Sequence, residues 1–138
     1  MKFWLVKQEP TAYAWGDFVR DKKTMWDGVR NYQARNNLAA MQKGDLALFY
    51  HSVLDKCVVG VAQVVREAYP DPTTPDDRWV AIDLEPAFPL RNPVTLDQIK
   101  ADKALADMAF IKQSRLSVSP ATKAEFDRIV KLGGKGKL

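Results

Sequence analysis

The sequence predicts an α+β fold, a curved sheet or small pseudobarrel with short helices set between its strands. Three observations carry that reading. Strand-like segments recur along the whole chain, two Thr-x-x-Gln/Glu boxes start short helices, and Leu46-Ala47-Leu48-Phe49-Tyr50 is continuously apolar, as a strand covered on both faces would be.

Taken in order, Lys2 to Lys7 reads as a first strand that Glu9-Pro10 ends, and Trp15 to Val19 as one short helix. Lys22 to Gly28 reads as a loop holding Trp26. Asn31 to Met41 is the clearest helix, with Asn31 as N-cap and Ala34, Leu38 and Met41 forming a core stripe at i, i+4, i+7. Asp45 to His51 is the doubly covered strand, Ser52 to Lys56 a hairpin loop, and Cys57 to Tyr69 a long strand with Gly60 as a bulge or tight bend. Pro70 to Asp77 is a loop. Trp79 to Glu85 alternates, with Val80, Ile82 and Leu84 on one side and Asp83 and Glu85 on the other. Thr95 to Gln98 is a capping box with Val94 and Ile99 placed as a hydrophobic staple. Arg115 to Ser119 alternates again, with Leu116 and Val118 inward and Arg115, Ser117 and Ser119 outward. Thr122 to Glu125 starts a last helix bearing Phe126, Ile129 and Val130, and the tail from 133 is expected to fray. No repeat or linker interrupts the chain, so residues 1–138 read as one domain.

With 138 residues, 46% of them apolar and 28% charged, the chain has ordinary globular composition. At this size roughly 70% of the unfolded surface is buried on folding, so neither disulfide nor metal is needed. Cys57 is the only cysteine and reads as a small buried hydrophobe; with His51 the only histidine, no zinc ligand set exists and no cofactor is expected. The apolar stretch Phe3 to Val6 is cut short by Lys7-Gln8-Glu9-Pro10, and no apolar run approaches membrane-spanning length. The expected location is therefore the cytoplasm, or the nucleus in a eukaryote, with no membrane partner.

The net charge of +4 is unevenly spread. Residues 22–43 carry five cations against Asp27, and residues 111–138 carry seven against Glu125 and Asp127, while residues 44–110 are net acidic. If the fold joins the two basic segments, they make a face that attracts phosphates.

The segment Trp26 to Asn37 is the richest in recognition chemistry. Tyr32, Arg35, Asn36 and Ala39 share one helix face beside the core stripe, so a ring, a guanidinium and a carboxamide lie together. Such groups stack on a base, contact a phosphate or read an amide-like edge, although a plain solvated face has the same pattern. Trp26 precedes the helix, where a ring can wall a pocket. Trp15, close after Lys7 to Pro10, is a second candidate wall; Trp4 and Trp79 read as core. His51-Ser52 closes a buried strand and reads as hydrogen-bonding rather than catalytic, since no Gly-x-Ser-x-Gly, paired-carboxylate or phosphate-loop motif is present. Arg115 and Ser117 lie on the outer side of a late strand.

Together these blocks resemble the EVE domain family of the PUA-like superfamily. The matching residues are Phe3-Trp4-Leu5 with Lys7 and Glu9-Pro10; Trp26-Asp27-Gly28-Val29-Arg30-Asn31-Tyr32-Gln33-Ala34-Arg35-Asn36; Gly44-Asp45 with Phe49 to Ser52; Gly60-Val61-Ala62; Tyr69 to Thr73; and Arg115 to Val118. The resemblance implies a PUA-like pseudobarrel with flanking helices and a non-catalytic pocket for a modified base in DNA or RNA. The related YTH domains hold a methylated adenine in an aromatic cage. On that reading Trp26 and Trp15 sandwich the base, Asn31, His51 and Ser52 bond its edge, Lys7, Arg35 and Arg115 hold flanking phosphates, and Arg30, Tyr32, Asn36 and Ser117 complete the lining. A small anionic aromatic ligand, or an enzyme acting on nucleic acid through the same pocket, are the alternatives. Two positions depart from the pattern. Gln8 replaces a small hydroxyl residue after the lysine, and Ala14 replaces a capping serine, at a cost of about 1 kcal/mol of local helix stability.

Overall fold

A computed structural model describes residues 1–138. Six strands and five short helices follow in the order β1 (Phe3–Gln8), α1 (Trp15–Asp21), β2 (Thr24–Trp26), α2 (Tyr32–Ala40), β3 (Leu46–His51), β4 (Cys57–Pro70), β5 (Val80–Thr95), α3 (Leu96–Ala101), α4 (Ala109–Lys112), β6 (Val118–Ala121) and α5 (Lys123–Gly133). The strands form one curved mixed sheet in the order β2-β5-β4-β3-β1-β6. This is the expected α+β, PUA-like arrangement, with one feature alternation alone does not reveal: β1 and β3 run parallel, Gln8 beside His51, while the other pairs are antiparallel. The two strands therefore end side by side.

Each face of the sheet is covered. Ala47 and Phe49 of β3 join Trp4, Phe18, Leu38 and Ile82 in one core, under α1 and α2. Leu48 and Tyr50 join Leu5, Val61, Ile99 and Ile129 in the other, under α3 to α5. Burial on both faces explains the unbroken apolar run of β3. None of the helices is long and apolar enough to cross a membrane.

The helix signals act as expected. Asn31 caps α2 by accepting from the Ala34 N–H, and Ala34, Leu38 and Met41 are all buried. Thr95 and Thr122 close reciprocal boxes with Gln98 and Glu125, and Val94 and Ile99 are buried together.

Several boundaries differ, each for a tertiary reason. The expected loop at Lys22 to Gly28 contains β2, because Thr24 to Trp26 finds a partner in Ile82 to Leu84 of β5. Strand β5 runs on to Thr95, tolerating three prolines through register shifts against β4. Strand β6 spans Val118–Ala121 rather than Arg115 to Ser119, and the Ser119 side chain is buried rather than outward. The helix α4 had no sequence cue. The tail does not fray from 133: Gly134 accepts from the Arg91 N–H at 2.7 Å, and the Gly136 N–H donates to Pro89 at 2.8 Å. Small residues allow that approach, since a Cβ at Gly133 would lie 2.8 Å from the Asn92 carbonyl oxygen.

Candidate nucleic-acid interface

The parallel ends of β1 and β3 place Lys7, Gln8, His51 and Ser52 at one edge of the sheet. Two depressions open there. The larger is a cleft of about 720 Å³ whose cations are Lys7, Lys56, Lys100 and Arg115, against Glu9 as its one acid. Tyr50 and Phe110 line it from the core side. The Lys7 ammonium donates to the Ser114 carbonyl at 2.8 Å and lies 5.6 Å from the Phe110 ring centre and 5.9 Å from that of Tyr50. Burial lowers the Lys7 pKa and, with the nearby Cys57 thiol, pushes the Tyr50 hydroxyl up to about 12. Four cations against one acid give the cleft an excess of positive charge, which attracts anions.

The smaller depression is a recess of about 250 Å³ between the end of β1 and strand β2, lined by Gln8, Tyr13, Thr24, Met25, Trp26 and Asp27. It combines two aromatic side chains with a carboxamide, a hydroxyl and a carboxylate. Tyr13 is steadied by donating to Asp21 at 2.9 Å. Gln8 lines both the recess and the cleft. Next to them, Asn31 and Arg115 share a shallow groove where the start of α2 meets residues 112–116. The two basic segments of the sequence do meet, and the Asn37 side chain ties them by donating to the Val118 carbonyl at 2.7 Å.

The expected site residues thus fall into separate groups. Lys7, Ser52, Arg115 and Ser117 come together in the cleft. Trp26 lines the recess but is only 5% exposed and packs edge-on to Phe49. Trp15 is partly buried and packs against the same core, with its ring so close to Gly60 that a Cβ there would lie 2.5 Å from Trp15 Cζ2. Both rings pack edge-on against Phe49, and of the two only Trp26 lines the recess. Asn31 has its side-chain oxygen committed to the α2 cap. His51 accepts the Trp15 N–H at Nε2, 3.1 Å away, which replaces the cap that Ala14 cannot supply. Burial lowers the His51 pKa, so the imidazole is neutral and suited to accepting.

The recognition face read from Tyr32, Arg35 and Asn36 is instead largely a latch. Arg30 bonds Asp71 at 2.9 Å and the Thr73 hydroxyl at 3.1 Å, and Arg35 donates to the Arg78 carbonyl at 2.9 Å. Arg78 in turn donates to the Tyr32 hydroxyl, and the Tyr32 ring packs 5.0 Å from Trp79. These contacts fold the 70–79 loop onto the start of α2. Only Asn36 stays exposed without a hydrogen bond or ion pair in the structure.

Asp71 organises the latch. It is 1% exposed and accepts from Arg30, from Gly28 N–H and from both the backbone and hydroxyl of Thr73. Burial alone would raise its pKa, but these donors outweigh it and hold the carboxyl far below the usual range. Gly28 sits at φ +74°, a conformation glycine adopts without strain, so its N–H can reach Asp71 while Trp26 and Asp27 face the recess.

Sequence reasoning missed Tyr13, Lys56 and Lys100 as site residues, because no local pattern shows which distant segments meet. Gln8 did carry a signal, its departure from the small hydroxyl residue of the EVE pattern. Asp71 carried one in the Asp-Pro-Thr sequence of a turn.

The EVE domain family model matches residues 2–132. Thymocyte nuclear protein 1 of Rattus norvegicus is 35% identical over 164 aligned residues, covering 94% of this chain and 73% of the relative. Among solved structures, a Rhodopseudomonas palustris protein determined by NMR aligns with a TM-score of 0.93 and 45% identity over 97% of this chain and 94% of its own. The crystal structure of human THYN1 protein in complex with 5-methylcytosine-containing DNA aligns with a TM-score of 0.88 and 30% identity over 98% of this chain and 99% of its own. By the match of fold, sequence and family model, this chain belongs to the EVE domain family.

Proposed function

We propose that this protein is a non-catalytic module that binds DNA carrying a modified base, with the base in the recess and neighbouring phosphates along the cleft. The observation that carries this reading is the position of Gln8, whose side chain lines both depressions. One nucleotide can then place its base and its phosphate on either side of a single residue. The recess, about 250 Å³, has room for about eight waters, the scale of a pyrimidine ring with its substituents. Gln8 and Asp27 offer both donors and acceptors to a base edge. The human relative's complex with 5-methylcytosine DNA supports the same class of ligand.

A reader rather than an enzyme is supported by the state of the reactive groups. His51 Nε2 is occupied by the Trp15 N–H, and the Cys57 thiol is buried with its pKa raised by burial, both poor starting points for nucleophilic chemistry.

The test is a fluorescence anisotropy titration of labelled oligonucleotides, with cytosine or 5-methylcytosine at one position, as DNA and as RNA, at low and high salt. Tighter binding of modified DNA, lost in Gln8→Ala, with affinity falling as salt rises, is the expected result. Equal affinity for modified and unmodified strands across a panel of base modifications would sink the reading.

A further inference from the structure

The hairpin between β3 and β4 has features that neither the recess nor the cleft explains. At its tip Val53 and Leu54 are 60% and 61% exposed, two adjacent bare apolar side chains. The Leu54 N–H donates to the Ser52 carbonyl at 2.8 Å, and Val53 between them has φ +70°. That combination is a three-residue turn of the strained kind. A β-branched residue at positive φ is a genuine outlier, and glycine or asparagine would fill the position with less strain. Strain of this kind clusters where a side chain is kept for what it does.

The base of the hairpin is firmly held. Ser52 N–H donates to the Gln8 carbonyl at 3.0 Å, and the Leu96 N–H donates to the Lys56 carbonyl at 2.9 Å. Val53 and Lys56 line the same basic cleft as Gln8, which also lines the recess. An apolar tip, followed by Asp55 and then the cation Lys56, thus adjoins the cleft, which shares Gln8 with the recess.

We propose that Val53 and Leu54 form a wedge that enters the base stack of duplex DNA where a base leaves for the recess. The proposal rests on the reading of the recess as a base pocket. A base taken from a duplex leaves an apolar gap between its neighbours, and the unstacking is costly. Apolar side chains inserted between base steps are one way proteins fill such a gap. Lys56, at the far side of the turn, meets the backbone phosphates of the opened step.

The test compares the full chain with the variant Leu54→Asn. Leu54 is 61% exposed and does not line the cleft, so the variant should melt like the parent. The probes are a 5-methylcytosine oligonucleotide and its unmodified cytosine counterpart, each as a single strand and as a duplex, the modified duplex also with 2-aminopurine beside the modified base. The expected result is a loss of duplex affinity of about tenfold or more, with single-strand affinity within about twofold of the parent and a smaller 2-aminopurine fluorescence rise. Parent-like duplex binding by the variant, or an equal loss on both substrates, overturns the wedge. Selective single-strand binding by the parent separates the two ideas: if it is present, failure with the duplex counts against the wedge alone; if the parent is unselective on both substrates, the base pocket and the wedge fall together.

Discussion

The backbone N–H of Trp15 donates to Nε2 of His51 across 3.1 Å. This bond joins the first turn of α1 to the last residue of β3. It also substitutes for the absent side-chain cap at Ala14, with Asp17 accepting the Ala14 N–H at 2.9 Å to complete the end of the helix. Burial depresses the His51 pKa below the usual value of about 6.5. Its stabilising contribution is therefore full above that value and lost as pH falls through the lower folded-state value. His51→Ala should cost about 1 kcal/mol at neutral pH, as loss of an N-cap does. In thermal melts, the gap between parent and variant should narrow below about pH 6.5. A gap that is constant with pH would contradict this account of the bond.

The contact between Trp15 and Gly60 gives a prediction of packing. A Cβ at position 60 would meet the Trp15 ring at 2.5 Å, so Gly60→Ala should destabilise by about 1–3 kcal/mol through overpacking. Gly16, in α1, has open space around its Cα, so Gly16→Ala should be neutral or stabilise by roughly 0.5–1 kcal/mol. Chemical denaturation followed by tryptophan fluorescence distinguishes the two.

Asp71 gives a third. Replacing it with asparagine removes a buried charge that answers Arg30 and holds the Gly28 N–H, and should cost on the order of 3 kcal/mol. Because its folded-state pKa is depressed, its contribution is full above the ordinary carboxylate range and lost as pH falls below about 3.9. The parent should lose stability below that pH more steeply than Asp71→Asn. Limited proteolysis should cut the 70–79 loop faster in the variant at neutral pH.

How far the sequence could be read depended on how local each signal was. The caps at Asn31, Thr95 and Thr122 and the core stripe of α2 lie within a few residues of their partners, and they appear where expected. The five-residue apolar run of β3 likewise announced burial on both faces. Strand β2 has three residues and exists only because β5 lies beside it, so no local pattern reveals it. The site was legible in part. Lys7, Ser52, Arg115 and Ser117 do converge, whereas the helical count for Tyr32 and Arg35 identified a shared face without showing that Trp79 and Arg78 contact it. The sharing of Gln8 between recess and cleft is set by the parallel pairing of β1 with β3, a long-range fact.

The cleft cations should act on every DNA alike. Removing Lys56, Lys100 and Arg115 together should weaken binding to modified and unmodified duplexes by similar factors. It should also flatten the slope of log affinity against log salt by about 0.9 for each phosphate no longer neutralised. A changed base preference would instead place these side chains at the base.

On the proposed function, the modification is read in the recess and the backbone in the cleft. The most direct measurement is NMR chemical-shift mapping with matched oligonucleotides differing only by one 5-methyl group. The difference between the two titrations should be confined to Gln8, Tyr13 and Thr24 to Asp27, while Lys56, Lys100 and Arg115 shift equally in both. Methyl-dependent shifts centred on the latch at Tyr32, Arg35 and Trp79, with the recess unchanged, would contradict it.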